Sequence, residues 1–283
     1  MPSNQSLNAS FRKETIIAFG KRDSQLRMCV TTEADIQAES ATFMVSDIEG
    51  QEMAKRGANG RIITHPPSDE QFKVVMEELL YKQAKNSYNI YTQQGKQFDL
   101  MKQNVVAIAE TTQDKEIIKT LGNATRQANN GAAQALTSNA LLKRILSAFG
   151  DLHTAGLPFF RIPAGAFADM HDIPQFGNRD FVQSDKFKGV PKSKAFEFFG
   201  INFIVMPDSY FEGNNSAKIA QAWVPEAVGH ACDKKNAHFD FGYNAEDKYS
   251  WANSSIMTGS KIIQANGVIE VELDITANAV DPV

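Results

Sequence analysis

Apolar and polar positions alternate without a break near the C-terminal end. Ile269, Val271, Leu273 and Ile275 fall on one side of an extended chain and Glu270, Glu272 and Asp274 on the other. That pattern predicts a strand with one buried face and one acidic, wet face. Asn266-Gly267, just before it, is the residue pair of a tight type I′ turn, and Ser260 to Ile263 is the predicted partner strand of a hairpin. Further back the period changes. Phe98, Met101, Val105, Ile108 and Thr112 are spaced three and four apart, and Ile117 and Leu121 continue the side. A helix is therefore predicted from about Tyr91 to Leu121, stopped by Gly122-Asn123. At 1.5 Å per residue it would be ~45 Å long with only a narrow apolar stripe. Two shorter helices broken near Thr111-Thr112 are the alternative.

The remaining elements are shorter. A helix is expected from Phe11 to about Lys21, strands at Leu26–Val30 and Thr42–Val45, and a strand or short helix over Phe72–Leu80. Thr137 or Ser138 caps a second helix whose buried side is Leu142, Ile145, Leu146, Phe149 and Leu152. After Gly156-Leu157-Pro158 come predicted strands at Phe159–Ile162, Phe198–Val205, Lys218–Val224, Ala227–Cys232 and His238–Tyr243, with a helix near Ala166–Met170. Between Ser46 and Asp69 no core pattern exists: the segment is polar, with Gly50, Gly57 and Gly60 ahead of Pro66-Pro67. So long a stretch inside a compact domain is either a binding segment or a plain loop.

Composition narrows the function. The 283 residues are 42% hydrophobic and 22% charged, which is ordinary for a globular protein. Phe is overused, 19 against 2 Trp and 6 Tyr; with no polar tip, these rings belong in a core or in a contact between subunits. Net charge is −4, and the first 61 residues hold eight Lys/Arg against eight Asp/Glu. No basic stripe is present to grip phosphates, so direct DNA binding is not expected. Cys29 and Cys232 are too few for a disulfide framework and fit a reducing compartment. The polar N-terminus lacks the apolar core of a secretory signal, and no apolar run is long enough to span a membrane.

Candidate chemistry is sparse. His230, Cys232 and His238 invite a metal reading, but zinc sites pair their ligands more tightly and no second pair follows. Asp169, His171 and Asp172 imitate a charged active-site cluster, yet ADMHDIP reads more simply as an exposed helix end leading into Pro174. Cys29, in an apolar setting, is expected to be a buried, inert thiol. Nucleophile-elbow, HExxH and phosphate-loop motifs are absent. No catalytic, cofactor-binding or metal residue is assigned.

Taken in order, the segments from about Phe11 to Ile275 resemble the major capsid proteins of tailed double-stranded DNA bacteriophages, the Hong Kong 97-type capsid fold. The resemblance is carried by the order of arm, polar glycine-rich loop, long helix and closing strands. Local phrases such as Phe196–Val205 (FEFFGINFIV), Ala222–Gly229 (AWVPEAVG) and Tyr249-Ser250-Trp251 add to it. It implies an α+β fold divided into an N-terminal arm (1–30), an extended β-hairpin loop with flanking strands (31–80) and a spine helix (81–129). An axial domain (130–249) and closing strands of the peripheral domain (250–283) complete it. It also implies a non-enzymatic structural protein that self-assembles into hexamers and pentamers around DNA, in the host bacterial cytoplasm, with no membrane and no cofactor. Scaffold, portal and decoration proteins are the implied further partners. Contacts between copies are expected at Gly50, Lys55, Arg56, Gly60 and Arg61 on the loop and at Phe98, Met101, Val105 and Ile108 on the helix. A long, narrowly amphipathic helix and a long polar loop suit a chain whose neighbour covers one and receives the other. An encapsulin-like compartment shell is the alternative within this architecture, and a monomeric α/β enzyme is the alternative outside it.

Overall fold

The computed structural model describes residues 24–32, 35–37, 39–47, 68–86, 97–129, 131–150, 152, 156–176, 182–183 and 194–278. In chain order the strands are β1 (Asp35–Gln37), β2 (Ser40–Asp47), β3 (Ser68–Val75), β4 (Glu77–Asn86), β5 (Arg126–Gln127), β6 (Phe159–Pro163) and β7 (Val182–Gln183). They continue with β8 (Ala195–Phe198), β9 (Ile201–Met206), β10 (Lys218–Trp223), β11 (Val228–Asn244), β12 (Tyr249–Ile262) and β13 (Val268–Leu273). The helices are α1 (Gln97–Leu121), α2 (Asn139–Phe149) and α3 (Ala164–Asp169). Three sheets result, ordered β1-β2-β3, β5-β13-β10-β6-β9-β8-β7 and β11-β12-β4. Helices and strands do not alternate as in a parallel α/β fold, so the class is α+β, as expected. The expected Phe11–Lys21 helix and the Gly50–Pro67 segment lie outside the described residues.

Helix α1 runs unbroken through Thr111 and Thr112. Their hydroxyls donate back to the carbonyls of Ala107 and Ile108 at 2.7 and 2.8 Å, so neither side chain competes with the helical backbone. The buried line differs from the predicted one. It passes through Met101, Val105, Ala109, Gln113, Ile117 and Leu121, four apart throughout, while Ile108 and Thr112 are half-buried. At 3.6 residues per turn a spacing of four drifts by about 40° each step, so the buried stripe winds around the helix. Met101 and Val105 meet Ala252 of β12 and Tyr81 of β4. Ile117 and Leu121, sixteen and twenty residues from the start of that line, have turned into the main core with Leu136, Leu142 and Trp223. One helix thus bridges two sheets.

The C-terminal hairpin does not form. β13 pairs antiparallel with β10, from Lys218↔Leu273 to Trp223↔Val268, and parallel with β5. β12 belongs to another sheet, between β11 and β4. Ala265–Gly267 is a 3-10 turn, and neither Asn266 nor Gly267 has positive φ. Gly267 is needed for room: a Cβ there would collide with Cβ of Ala227 and come within 2.8 Å of Val224 Cγ2. The alternation itself is correct, since Ile269, Val271, Leu273 and Ile275 are buried, but Glu270 and Glu272 are half-buried rather than wet. The positive-φ pair of a type I′ turn occurs instead at Phe199 (φ 56) and Gly200 (φ 75), splitting the predicted Phe198–Val205 strand into β8 and β9. Phenylalanine gives no warning of such a turn.

Two more expectations change. β11 is one strand where two were predicted, and its register slips between Asp233↔Met257 and His238↔Ser255. Residues 234–237 there face Ile256 alone, a bulge of three extra residues. Leu26–Val30 is not a strand: Arg27–Cys29 forms a 3-10 turn, and Asp114 of α1 collects the polar groups just ahead of it. Asp114 Oδ1 accepts from Ser24 Oγ at 2.8 Å and from the Leu26 amide at 3.0 Å, and Trp223 Nε1 donates to the Cys29 carbonyl at 2.8 Å. Cys29 is buried.

The phenylalanine excess is explained by the seven-stranded sheet. Phe160, Phe203 and Phe196 are direct neighbours across β6, β9 and β8. The last two stack with centroids 4.9 Å apart, and Phe167 and Phe176 close over them.

Candidate functional site

The β2–β3 hairpin is in register from Ser40↔Val75 to Asp47↔Ser68, so its two arms lead directly into the 48–67 segment. Its inner face carries Ala41, Phe43 and Val74, which form a small cluster with Met76, Ala231 and Ile263. Two glycines let the hairpin approach β11 and β12: a Cβ on Gly229 would stand 2.8 Å from the Phe43 ring, and one on Gly259 would stand 2.6 Å from the Val75 carbonyl oxygen. The root is therefore anchored on the sheet. The outer face carries Met44 and Val75, 62% and 70% exposed.

A second uncovered apolar surface lies on the β11-β12-β4 sheet, opposite α1. Alternation puts Leu80 and Lys82 on the side away from Tyr81, and their cross-strand partners Ser255 and Asn253 share it with Trp251. Leu80 is 72% exposed. Trp251 lies over Gly242, whose added Cβ would be 2.8 Å from the indole ring. The Lys82 ammonium stands 5.3 Å from the Trp251 ring and 5.7 Å from the Tyr249 ring.

Of the contact residues expected from sequence, Gly50, Lys55, Arg56, Gly60 and Arg61 lie outside the described residues, as does the side chain of Phe98. Met101 and Val105 are fully buried inside the subunit, so they have no surface left for another copy. Ile108 is half-buried beside a cavity of about 200 Å³ that it lines with Leu79, Tyr81 and Ile256. Among the described side chains of α1 the outward large apolar residue is Val106. Sequence reasoning missed Met44, Val75 and Leu80. The available signal was weak: an apolar residue on the polar side of each strand's alternation.

Buried polar groups serve the fold. His230 is fully buried, with Nδ1 at 2.7 Å from Ser260 Oγ. Burial, helped by the nearby Arg27 charge, lowers its pKa to about 4. Asp169 is buried rather than at an exposed helix end, and its Oδ1 accepts from the Asn278 amide, tying the C-terminal segment to α3. Burial pushes its carboxyl up, opposed by that hydrogen bond and assisted by Asp172 and Asp274. His171 instead meets the edges of Phe167 and Phe176 at 5.3 and 5.1 Å. Among the described residues no group of three or more His, Cys, Asp or Glu is gathered as for a metal ion. None of their helices is long and apolar enough to cross a membrane. Arg161 in the all-buried β6 is held down to about 9 by burial, with Glu212 acting the other way, and so stays charged at neutral pH. A lone charge inside FFRIP was its sequence signal.

Comparison with known proteins adds a family. A sequence model described as phage capsid protein matches residues 4–275. No curated protein sequence matches the chain. Among solved structures, the capsid of Ralstonia phage GP4 is similar at TM-score 0.65 and 10% identity, covering 95% of this chain and 94% of that one. The head structure of Helicobacter pylori bacteriophage KHP40 gives 0.61 at 11% identity, covering 93% and 95%. The SrpI encapsulin of Synechococcus elongatus gives 0.51 at 15% identity, covering 96% and 98%. At these identities the structural likeness concerns the fold.

Proposed function

The chain belongs to the phage capsid protein family, and from that premise we propose how it builds a shell. It is a structural protein of the virion capsid. Its copies form the hexamers and pentamers of a tailed-phage head that encloses double-stranded DNA without reading its sequence. Assembly takes place in the bacterial cytoplasm, with scaffold, portal and decoration proteins as further partners. Residues 1–30 act as the arm, 31–80 as the extended loop, 81–129 as the spine, 130–249 as the axial domain and 250–283 as the closing segment. The role is architectural, not enzymatic. Each extended loop lies across a neighbouring copy, with Gly50, Lys55, Arg56, Gly60 and Arg61 near its tip in contact there.

One observation carries this reading: the hairpin root is packed onto its own sheet while its outer face leaves Met44 and Val75 uncovered. Large apolar side chains left exposed on one face of the hairpin fit a surface that another chain covers. Deletion of residues 50–67 is expected to leave a cooperatively folded subunit that no longer forms shells, read by circular dichroism and negative-stain imaging. Normal shells from the deleted chain would make the segment a passive loop. The encapsulin likeness supports a second reading, a protein-filled compartment. Nucleic acid in purified shells supports the phage head, and a protein cargo supports the compartment.

A further inference from the structure

Arg161 is 2% exposed, and its hydrogen bonds go to neutral groups. Nε donates to Gln221 Oε1, Nη1 donates to the Tyr210 carbonyl at 3.2 Å, and the guanidinium carbon lies 4.7 Å from the Phe211 ring centroid. Among the described residues no carboxylate forms an ion pair with it, although Glu212 is near enough to act at a distance. A buried charge with no counter-charge in contact is costly in a way that neutral hydrogen bonds do not offset. A guanidinium has five N–H groups, and these two bonds leave the rest to the cavity that the side chain lines.

That cavity, about 560 Å³, lies between the C-terminal half of α1 and the turn leading to Glu212. Lys115 and Lys119, one helical turn apart and both exposed, stand on its rim. Glu212 and the carbonyl end of α1, at Gly122 and Asn123, oppose them. The balance is three cations against one carboxylate and a partial helix charge. We propose that this cavity binds an oxyanion of the phosphate or carboxylate class, with the Arg161 fork holding two oxygens and Lys115 and Lys119 closing over it. The oxyanion is either free in solution, as phosphate is, or a carboxylate side chain of a second copy of this chain.

Thermal melting of the purified full chain, in phosphate against chloride at matched ionic strength, tests the first source. A saturable rise in Tm is expected in the wild type and its loss in Arg161→Met. In the Lys115→Ala/Lys119→Ala double variant the half-saturating concentration should rise about tenfold, as two exposed charge contacts imply. Phosphate also stabilises proteins by exclusion from their surface, but that response is equal in all variants. The lysine pair is exposed, so this variant reads out even where Arg161→Met does not fold. Shell yield tests the second source. If phosphate has no saturable effect, the double Ala variant should fold normally yet lose shells, while Lys115→Arg/Lys119→Arg keeps them. Equal phosphate responses in all variants, with shell yields that do not follow charge at 115 and 119, overturn the proposal. Only the shell arm rests on the capsid reading; a chain that never assembles counts against that reading and leaves the phosphate arm decisive.

Discussion

His230 shows what a single residue contributes when the fold surrounds it. Its ring is neutral and buried, and it takes up a proton only below about pH 4, whereas an unfolded histidine does so near 6.5. The unfolded chain therefore binds more protons in between, so this contribution is complete above 6.5 and is lost as pH falls toward 4. The difference corresponds to about 3 kcal/mol at the acid end. Denaturant melts at pH 7 and 4.5 should show the wild type losing more stability than His230→Gln; equal losses would mean the ring titrates normally. Asp169 and Glu270 are shifted upward, the opposite sense, and are common to both proteins. On β13, Leu273→Ala should cost about 2–5 kcal/mol as a buried truncation. Glu272→Gln should stay within about 0.5 kcal/mol. The reverse order in urea titrations would put the register one residue out.

Elements, unlike residues, are decided by what they pack against. The alternation of β13 was legible, because a strand with one buried face must repeat every two residues whatever its partner. Its partner was not legible: six alternating residues fit β10 as well as they fit β12. Asn266-Gly267 misled because glycine serves two purposes, positive φ and close approach, and only the neighbours at Ala227 and Val224 tell them apart. Gly267→Ala should consequently destabilise by about 1–3 kcal/mol, the cost of forcing a methyl into filled space. Ala227→Gly in the same chain should recover part of that loss in a double-mutant cycle. Strict additivity would return Gly267 to a conformational role. α1 follows the same logic. Its existence and its end at Gly122 were visible in the sequence, but a stripe that turns from one sheet to another has no fixed period to detect.

The whole molecule leaves Met44, Val75 and Leu80 exposed on the hairpin and the sheet beside it. Val75→Lys should leave the subunit's melting temperature within the small range of surface changes while reducing shell yield, measured by sedimentation. Unchanged shells would remove this face from the contact. The amino-acid sequence alone determined the α+β class, the alternation of β13, the long helix and its end, and the order of segments that matches the capsid family. These follow from local periodicity and from chain order, which need no knowledge of distant residues. Only the tertiary structure decided that β12 and β13 part into different sheets, that Met101 and Val105 face inward, and that Asp114, Asp169, His230 and Arg161 are buried. The four buried polar groups depend on partners brought from 30 to 109 positions away, as Asp169 with Asn278 and Asp114 with Ser24. Burial of a polar group is a property of what surrounds it, and the surroundings exist only after the chain has folded.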